Sequence, residues 1–374
     1  LKFLKRDLQV KAYRIRLLVI FALICPLTWL PKQSEAKTGI RDLDNPAITV
    51  KAPNRVVLIA ITRAGARLVA VGEHGVITYS DDDGKTWAQS NVPVDVTLTA
   101  VAFANPSDGW AAGHYGIILH TSDGGVNWQI QLDGLRANQL TLAAAMVAAS
   151  DHDQSPGAPL AMKRAQKFLA AGPDKPFLTM LVTSPQDAIV FGAYRMAMKT
   201  TDGGASWVDW SLHIGDPFSH NIYDVAAVRG DVYIAGEAGS VYRSTDGGTS
   251  SPEVTAPSNA TMFEIGPTGD GGVFVCGVAG QAFWSKDNGV TWTPVDLNTQ
   301  ANLTALATLP NGTILVGSEA GNLYISRDHA RTFSPLDEVE PMEIFGLTVA
   351  GNGDVVAVGS GGVIVTSGKV FAQG

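Results

Sequence analysis

Residues 68–87 read LVAVGEHGVITYSDDDGKTW. An apolar run, a G-x-x-G turn, a second apolar run and an S/T-x-D-x-G-x-T-W box follow one another in that order. Short apolar runs bounded by glycine turns are the mark of paired antiparallel strands. The same order returns as GWAAGHYGIILHTSDGGVNW at 109–128, AIVFGAYRMAMKTTDGGASW at 188–207, VYIAGEAGSVYRSTDGGTSS at 232–251, VFVCGVAGQAFWSKDNGVTW at 273–292 and ILVGSEAGNLYISRDHARTF at 314–333. A seventh copy, VVAVGSGGVIVTSGKVF at 355–371, has lost its Asp and Trp.

The boxes open at residues 80, 121, 200, 244, 285, 326 and 366, giving spacings of 41, 79, 44, 41, 41 and 40. A period near forty with four apolar runs per repeat, as in TAVAFANPSDGWAAGHYGIILHTSDGGVNWQIQL at 99–132, is that of a propeller blade. The expected fold is all-β: a seven-bladed β-propeller of four-stranded antiparallel blades over residues 47–373, with one helical insertion. AITVKA at 47–52 precedes the first strand of blade one and is expected to complete blade seven as a clasp.

The nearly doubled second spacing marks the insertion, residues 133–176. NQLTLAAAMVAAS and APLAMKRAQKFLAA are rich in good helix formers and are separated by the breaker-rich DHDQSPG, which predicts a helical hairpin. Its Leu140, Leu142, Met146, Met162, Phe168 and Leu169 must bury against the propeller or a partner.

Composition agrees with a large folded core: 45% hydrophobic, 17% charged, and 40 glycines to supply turns. At the front, Lys2, Lys5, Arg6, Lys11, Arg14 and Arg16 precede the apolar run Leu17 to Leu30, and Ser34-Glu35-Ala36 supplies small residues after it. That pattern predicts a signal peptide over 1–36, a linker at 37–46, and an exported protein, periplasmic or secreted. The run is shorter than the ~20 residues a spanning helix needs, so the protein is expected to be peripheral to a membrane at most.

Residues 1–36 hold seven Lys or Arg and two Asp or Glu, so without them the formal charge moves from −8 to −13. An acidic surface excludes nucleic acid as a partner. Cys276, in VFVCG, is then the only cysteine, so no intrachain disulfide is expected.

In the boxes, Asp82, Asp123, Asp202, Asp246, Asp287 and Asp328 can each accept backbone N–H groups across their own turn, and Trp87, Trp128, Trp207, Trp292 and Phe333 can pack beneath. As metal ligands or acids these aspartates would stand a blade apart, so they are read as structural. Ser251 replaces the aromatic in blade four and Ala330 the glycine in blade six.

Blade geometry puts the boxes on one face and the G-x-x-G turns and blade-to-blade connections on the other. The second face is therefore the expected binding face, carrying Glu73, His74, His114, Tyr115, Tyr194, Arg195, Glu237 and Glu319, with His213 and His220 from SLHIGDPFSHN. Five of the seven histidines, His74, His114, His152, His213 and His220, are placed there, but in no H-x-x-H or H-E-x-x-H spacing. No catalytic residue, metal or cofactor is expected.

The boxes SDDDGKTW and SKDNGVTW match the Asp-box, or BNR, repeat, and the seven-copy array resembles the photosystem II stability and assembly factor family over about residues 45–373. The resemblance implies an exported or lumenal, non-catalytic binding scaffold that holds a membrane-protein subunit during assembly. Proteobacterial members are similar to companions of membrane exporters, which makes an exporter component the other implied partner. The family's arginine patch does not transfer, because Arg63, Arg67, Arg195, Arg229, Arg243, Arg327 and Arg331 are scattered over the blades. Asp-box propellers also include sialidases, so a sialidase-like glycoside hydrolase or a glycan-binding propeller is the alternative. The F/Y-R-I-P segment that opens such enzymes has only Tyr13-Arg14-Ile15-Arg16 as a distant counterpart.

Overall fold

The computed structural model describes residues 38–150, 157–215, 218–254, 257–336 and 342–368. The basic and apolar stretch assigned to export, and His152, lie outside them. Seven antiparallel sheets follow in chain order: blade one (58–89), two (98–132), three (177–209), four (222–244), five (262–294), six (303–336) and seven (344–366). Their innermost strands are Leu58–Ala64, Leu98–Phe103, Phe177–Val182, Ile222–Val228, Met262–Pro267, Leu303–Thr308 and Ile344–Val349. Each innermost strand packs beside the next, and that of blade seven packs beside that of blade one, so the ring closes.

The strand after each innermost one is sandwiched between neighbouring blades. Its residues are therefore apolar without alternation, as in the buried Val273–Gly277 and Val355–Gly359. Tryptophan, phenylalanine and branched side chains from adjacent blades fill the gaps in successive clusters around the ring.

Each intact box is one closed hydrogen-bonded unit. Asp287 Oδ1 accepts from the Thr291 backbone N–H (2.8 Å) and the Ser285 hydroxyl (2.9 Å), and its Oδ2 accepts from the Thr291 hydroxyl (2.7 Å). Asp82, Asp123, Asp202, Asp246 and Asp328 repeat the arrangement. These donors hold the carboxyls of Asp82, Asp246 and Asp287 down at about 2, because all of them favour the charged form. The residue two beyond each Asp takes a left-handed backbone, φ 87° at Gly84 and still φ 67° at Ala330 in blade six.

In blades one and two the box aromatic closes the turn from below, Trp87 Nε1 donating to Gly84 O (2.9 Å) and Trp128 Nε1 to Gly125 O (3.0 Å), whereas in blade three Trp207 is buried with its Nε1 making no such bond. Blade four has Ser251 in that place, and the bond is made from outside the blade. Trp210, in the connection from blade three, donates its Nε1 to Gly248 O at 2.8 Å and packs on the core between blades three and four. The missing aromatic is thus supplied in trans.

Three features differ from the sequence expectation. Residues 47–52 form no strand and do not complete blade seven: the Ala47 N–H donates to Val92 O, Ile48 N–H to His74 O and Val50 N–H to Gln89 Oε1, all on blade one. Pro46 and Pro53 bracket the segment, and Pro53 has no N–H to give a ladder. Blade seven meets the N-terminal side through Val363 N–H to Asn54 O, Gly351 N–H to Asp83 Oδ1 and the packing of Val358 and Val363 against Val56 and Leu58. Among the described residues, blades four and seven have three strands rather than four, with a single Tyr242–Glu253 bridge standing for the last strand of blade four.

The insertion forms helix α2, Gly134–Ser150, and helix α3, Ala158–Ala171, after the single helical turn α1, Arg41–Asp44. Phe168 is buried and Leu140 half-buried against blades two and three, while Leu142 and Met162 pack between the helices. Met146 and Leu169 remain exposed.

The trans supply of the tryptophan gives a direct expectation. Trp210→Ala should destabilise the protein by about 3 kcal/mol, as for other large-to-small aromatic changes. Trp210→Phe, which loses only the indole bond, should cost about 1 kcal/mol. Urea unfolding followed by circular dichroism measures both, and equal losses would mean that packing is not what Trp210 contributes.

Candidate binding face

In every blade the turn between the second and third strands is tied to the base of the innermost strand. The residue after the first turn position donates its N–H to a carbonyl just before that strand: Glu73 to Val57, His114 to Thr97, Ala193 to Pro176, Glu237 to Asn221, Val278 to Thr261, Glu319 to Asn302 and Ser360 to Glu343, at 2.9 to 3.3 Å. The turns and the blade connections therefore share one face.

The first glycine of the turn exists for this approach: a Cβ on Gly72 would stand 2.0 Å from Val57 O, and on Gly113 2.2 Å from Thr97 O. In blades one to five the second and third residues after it are left-handed, with φ 55° at His74, Tyr115 and Tyr194. Blade three puts Arg195 (φ 60°) where other blades have glycine, and its N–H donates to His220 O at 2.8 Å. A non-glycine there costs about 1 kcal/mol.

Of the residues placed on this face by sequence, three line one cavity. His74 and Asp95 lie 3.0 Å apart, Nδ1 to Oδ1, and His114 and Tyr115 stand on the other side of a cavity of about 340 Å³. Arg41 and Asp42 of α1 complete it, with Tyr115 Oη 3.5 Å from Asp42 Oδ2. Burial lowers the pKa of His114. Glu73 is exposed beside it.

A second group lies at blade three. Tyr194 is 52% exposed and meets the edge of Phe168 from α3, ring centroids 6.3 Å apart. Lys175 Nζ sits 5.2 Å from the Phe168 ring and 6.0 Å from the Tyr194 ring, and Arg195 is buried beneath. Arg164, also of α3, donates to Ser211 Oγ. Tyr194 alone of this group is exposed; Phe168, Lys175, Arg164 and Arg195 are buried behind it, with Lys175 paired to Asp174.

The remaining candidates have local duties or stand elsewhere. Glu237 Oε2 accepts from Asn221 N–H, and Glu319 accepts from both the backbone and the side chain of Asn302, so each caps the connection leading into its own blade. His220 Nδ1 lies 3.0 Å from Ser240 Oγ. His213 is not on this face. It stacks on Trp210 at 3.6 Å, and its Nδ1 lies 2.7 Å from Thr249 O in the box of blade four, because the connection first runs along that box before climbing to the turns. No group of three His, Cys, Asp or Glu among the described residues is placed to hold a metal. Arg67, Arg243 and Arg331 pair with Asp81, Asp231 and Asp270, each on an outer edge, so no shared patch forms from them.

Sequence reading missed the central channel, a cavity of about 440 Å³ walled by all seven innermost strands. It contains Tyr223, Asp224, Phe263, Glu264 and Phe345. Comparing repeats residue by residue would have found the two carboxylates, since Ala60, Ala100, Ala305 and Gly346 hold the same place in other blades.

Fold and face define the class: an Asp-box β-propeller whose turn face carries an exposed tyrosine and a histidine-lined cavity beside a helical insertion. Over residues 44–153 and 161–367 the sequence matches the family described as Photosynthesis system II assembly factor YCF48, and the chain belongs to that family. It is 35% identical over 71 residues to the uncharacterized protein YkuO of Bacillus subtilis (strain 168) and, over the same length, to the Photosystem II assembly lipoprotein Ycf48 of Synechococcus sp. (strain CC9902). Those stretches are 19% of this chain and 23% and 21% of the two relatives, so the match spans about a fifth of their length. The solved structure of YCF48 bound to D1 peptide is similar with a TM-score of 0.62 and 17% identity, covering 86% of this chain and 98% of that one. At that identity the likeness is one of fold.

The close approach at the turns predicts that Gly113→Ala destabilises the protein by about 2–3 kcal/mol. Gly157→Ala, where an added Cβ meets nothing within 4 Å, should stay within about 0.5 kcal/mol. Denaturant midpoints of the two variants measure the difference.

Proposed function

We propose that this protein is a non-catalytic assembly factor, exported to the periplasm, that holds a segment of a membrane-protein subunit on its turn face. Membership of the YCF48 family over most of the chain carries this reading. A relative solved with a bound D1 peptide supports a peptide segment as the client, of which a piece of an exporter component is one kind. Export is supported by the basic and apolar stretch of residues 2–30.

The exposed Tyr194, held edge-on by the buried Phe168, together with the His74–His114 cavity, offers such a segment aromatic contact area and polar groups on rigid turns. A glycosidase would instead need a carboxylate-binding arginine cluster near its acids. The channel carries Tyr223, Asp224 and Glu264, but no arginine is among the residues lining it.

A photo-crosslinking residue placed at Tyr194 should capture membrane-protein segments in intact cells, whereas one at the exposed Val290 on the box face should not. Capture at Val290 alone would move the binding face to the boxes, and capture at neither position would remove the scaffold reading. The purified protein should release no fluorophore from a panel of fluorogenic glycosides. Saturable release would establish an enzyme.

A further inference from the structure

The third residue of the seven innermost strands is Ala60, Ala100, Thr179, Asp224, Glu264, Ala305 and Gly346. Each lies at an irregular register step of its strand pair and lines the channel. Five blades put a small residue there, and two adjacent blades put carboxylates.

Both carboxylates are used to tie blades together. Asp224 Oδ2 accepts the backbone N–H of Ile265 in blade five at 2.9 Å, and its Oδ1 takes the Thr179 hydroxyl of blade three at 3.3 Å. Glu264 in turn accepts the backbone N–H of Leu306 in blade six. Two side chains thus join the inner strands of four consecutive blades. Elsewhere the corresponding ties are threonine hydroxyls that donate to carbonyls, Thr99 to Phe177 O at 2.7 Å and Thr304 to Ile344 O. Those ties carry no charge at any ordinary pH, whereas the carboxylate ties do.

The surroundings give the pair no counter-charge. Blade three faces it with Leu178, Thr179 and Met180, blade six with Thr304, Ala305 and Leu306, and the lining contains no Lys, Arg or His. Tyr223 precedes Asp224 on its own strand, and the buried Cys276 pairs with Glu264 across blade five. Both acids keep some surface toward the channel, so protons can reach them through channel water, while protein encloses them on the other sides. Two negative charges on neighbouring strands without a cation repel each other strongly.

We propose that Asp224 and Glu264 are a proton-dependent latch: with a proton on the pair, blades four, five and six are drawn together at the channel wall, and with both acids charged that sector of the ring loosens. Burial pushes Asp224 up to about 6, and burial together with the charge of Asp224 pushes Glu264 well above the usual carboxylate range. The folded protein therefore holds protons that the unfolded chain has already released, so stability is highest near pH 4 and falls as pH rises toward and beyond 6. The box aspartates act in a separate window. Their lowered values contribute stability that is lost only as pH drops below about 4 toward 2.

The test uses the isolated protein, so it stands apart from the partner reading. Melting temperature is measured from pH 4.5 to 8 for the wild type and for Glu264→Gln, which keeps an acceptor for Leu306 but cannot ionise. The wild type should lose several degrees across that range, and the variant should show a flatter profile that crosses above the wild type at pH 8. Hydrogen exchange of the Ile265 and Leu306 amides, corrected for intrinsic rate, should rise roughly tenfold or more in the wild type at pH 8, the equivalent of one pKa unit. This second measurement decides the matter even where the variant folds poorly. A flat wild-type profile with unchanged exchange at both amides overturns the latch, as does a variant that retains the full wild-type slope.

Discussion

Seven backbone hydrogen bonds, one per blade, from each turn to the carbonyl ahead of the innermost strand, hold the architecture in register. They demand that a carbonyl approach within about one bond of where a side chain would begin, so the turn's first position is glycine in six of the blades and Ser318 in blade six. They also decide which loops share a face. With the turns fixed to the connections, the boxes are left on the far side, where their aspartates bond only within their own turns.

The remaining repeat positions are less strictly bound, and the chain replaces them by other means. Blade four has lost its box aromatic, and Trp210 from the previous connection fills the space and makes the same bond to the same carbonyl. Blade six takes the left-handed backbone at Ala330 without glycine, and blade three does so at Arg195. In each case the contact is kept while the residue type that advertised it is gone, which follows if the fold selects for filled space and satisfied backbone groups rather than for a motif.

That distinction explains what could be read in the sequence. The blade count, the insertion and the box geometry were legible because each is written in local spacing: an Asp four residues before its donor, a glycine at a left-handed turn, an interval twice the usual length. Contacts between residues far apart in sequence were not. AITVKA has the alternation of a strand, but its partners were decided by blade one, whose Gln89 side chain and Val92 carbonyl capture it. His213 belongs by chain position to a connection, yet the same connection runs first beside the neighbouring box, and so the side chain lands on the wrong face. The cavity at Arg41, Asp42 and His74 depended on α1 folding back over blades one and two, and no spacing announces that.

The departures from the repeat are unevenly distributed. The insertion, Arg195 at a glycine position, Trp210 serving blade four, and the carboxylates Asp224 and Glu264 add groups and all fall between blades two and five, whereas the departures of blades six and seven, Ser318, Ala330 and the lost Asp and Trp, add no such group. A propeller built only for stability has no reason to concentrate its exceptions, since each blade bears the same packing load. A left-handed arginine and two adjacent carboxyl groups in the channel wall without a cation both lower stability. Their retention side by side with the exposed Tyr194, backed by the buried Phe168, indicates that this half of the ring is shaped by something other than ring closure, and it is there that the face has chemistry to offer a client.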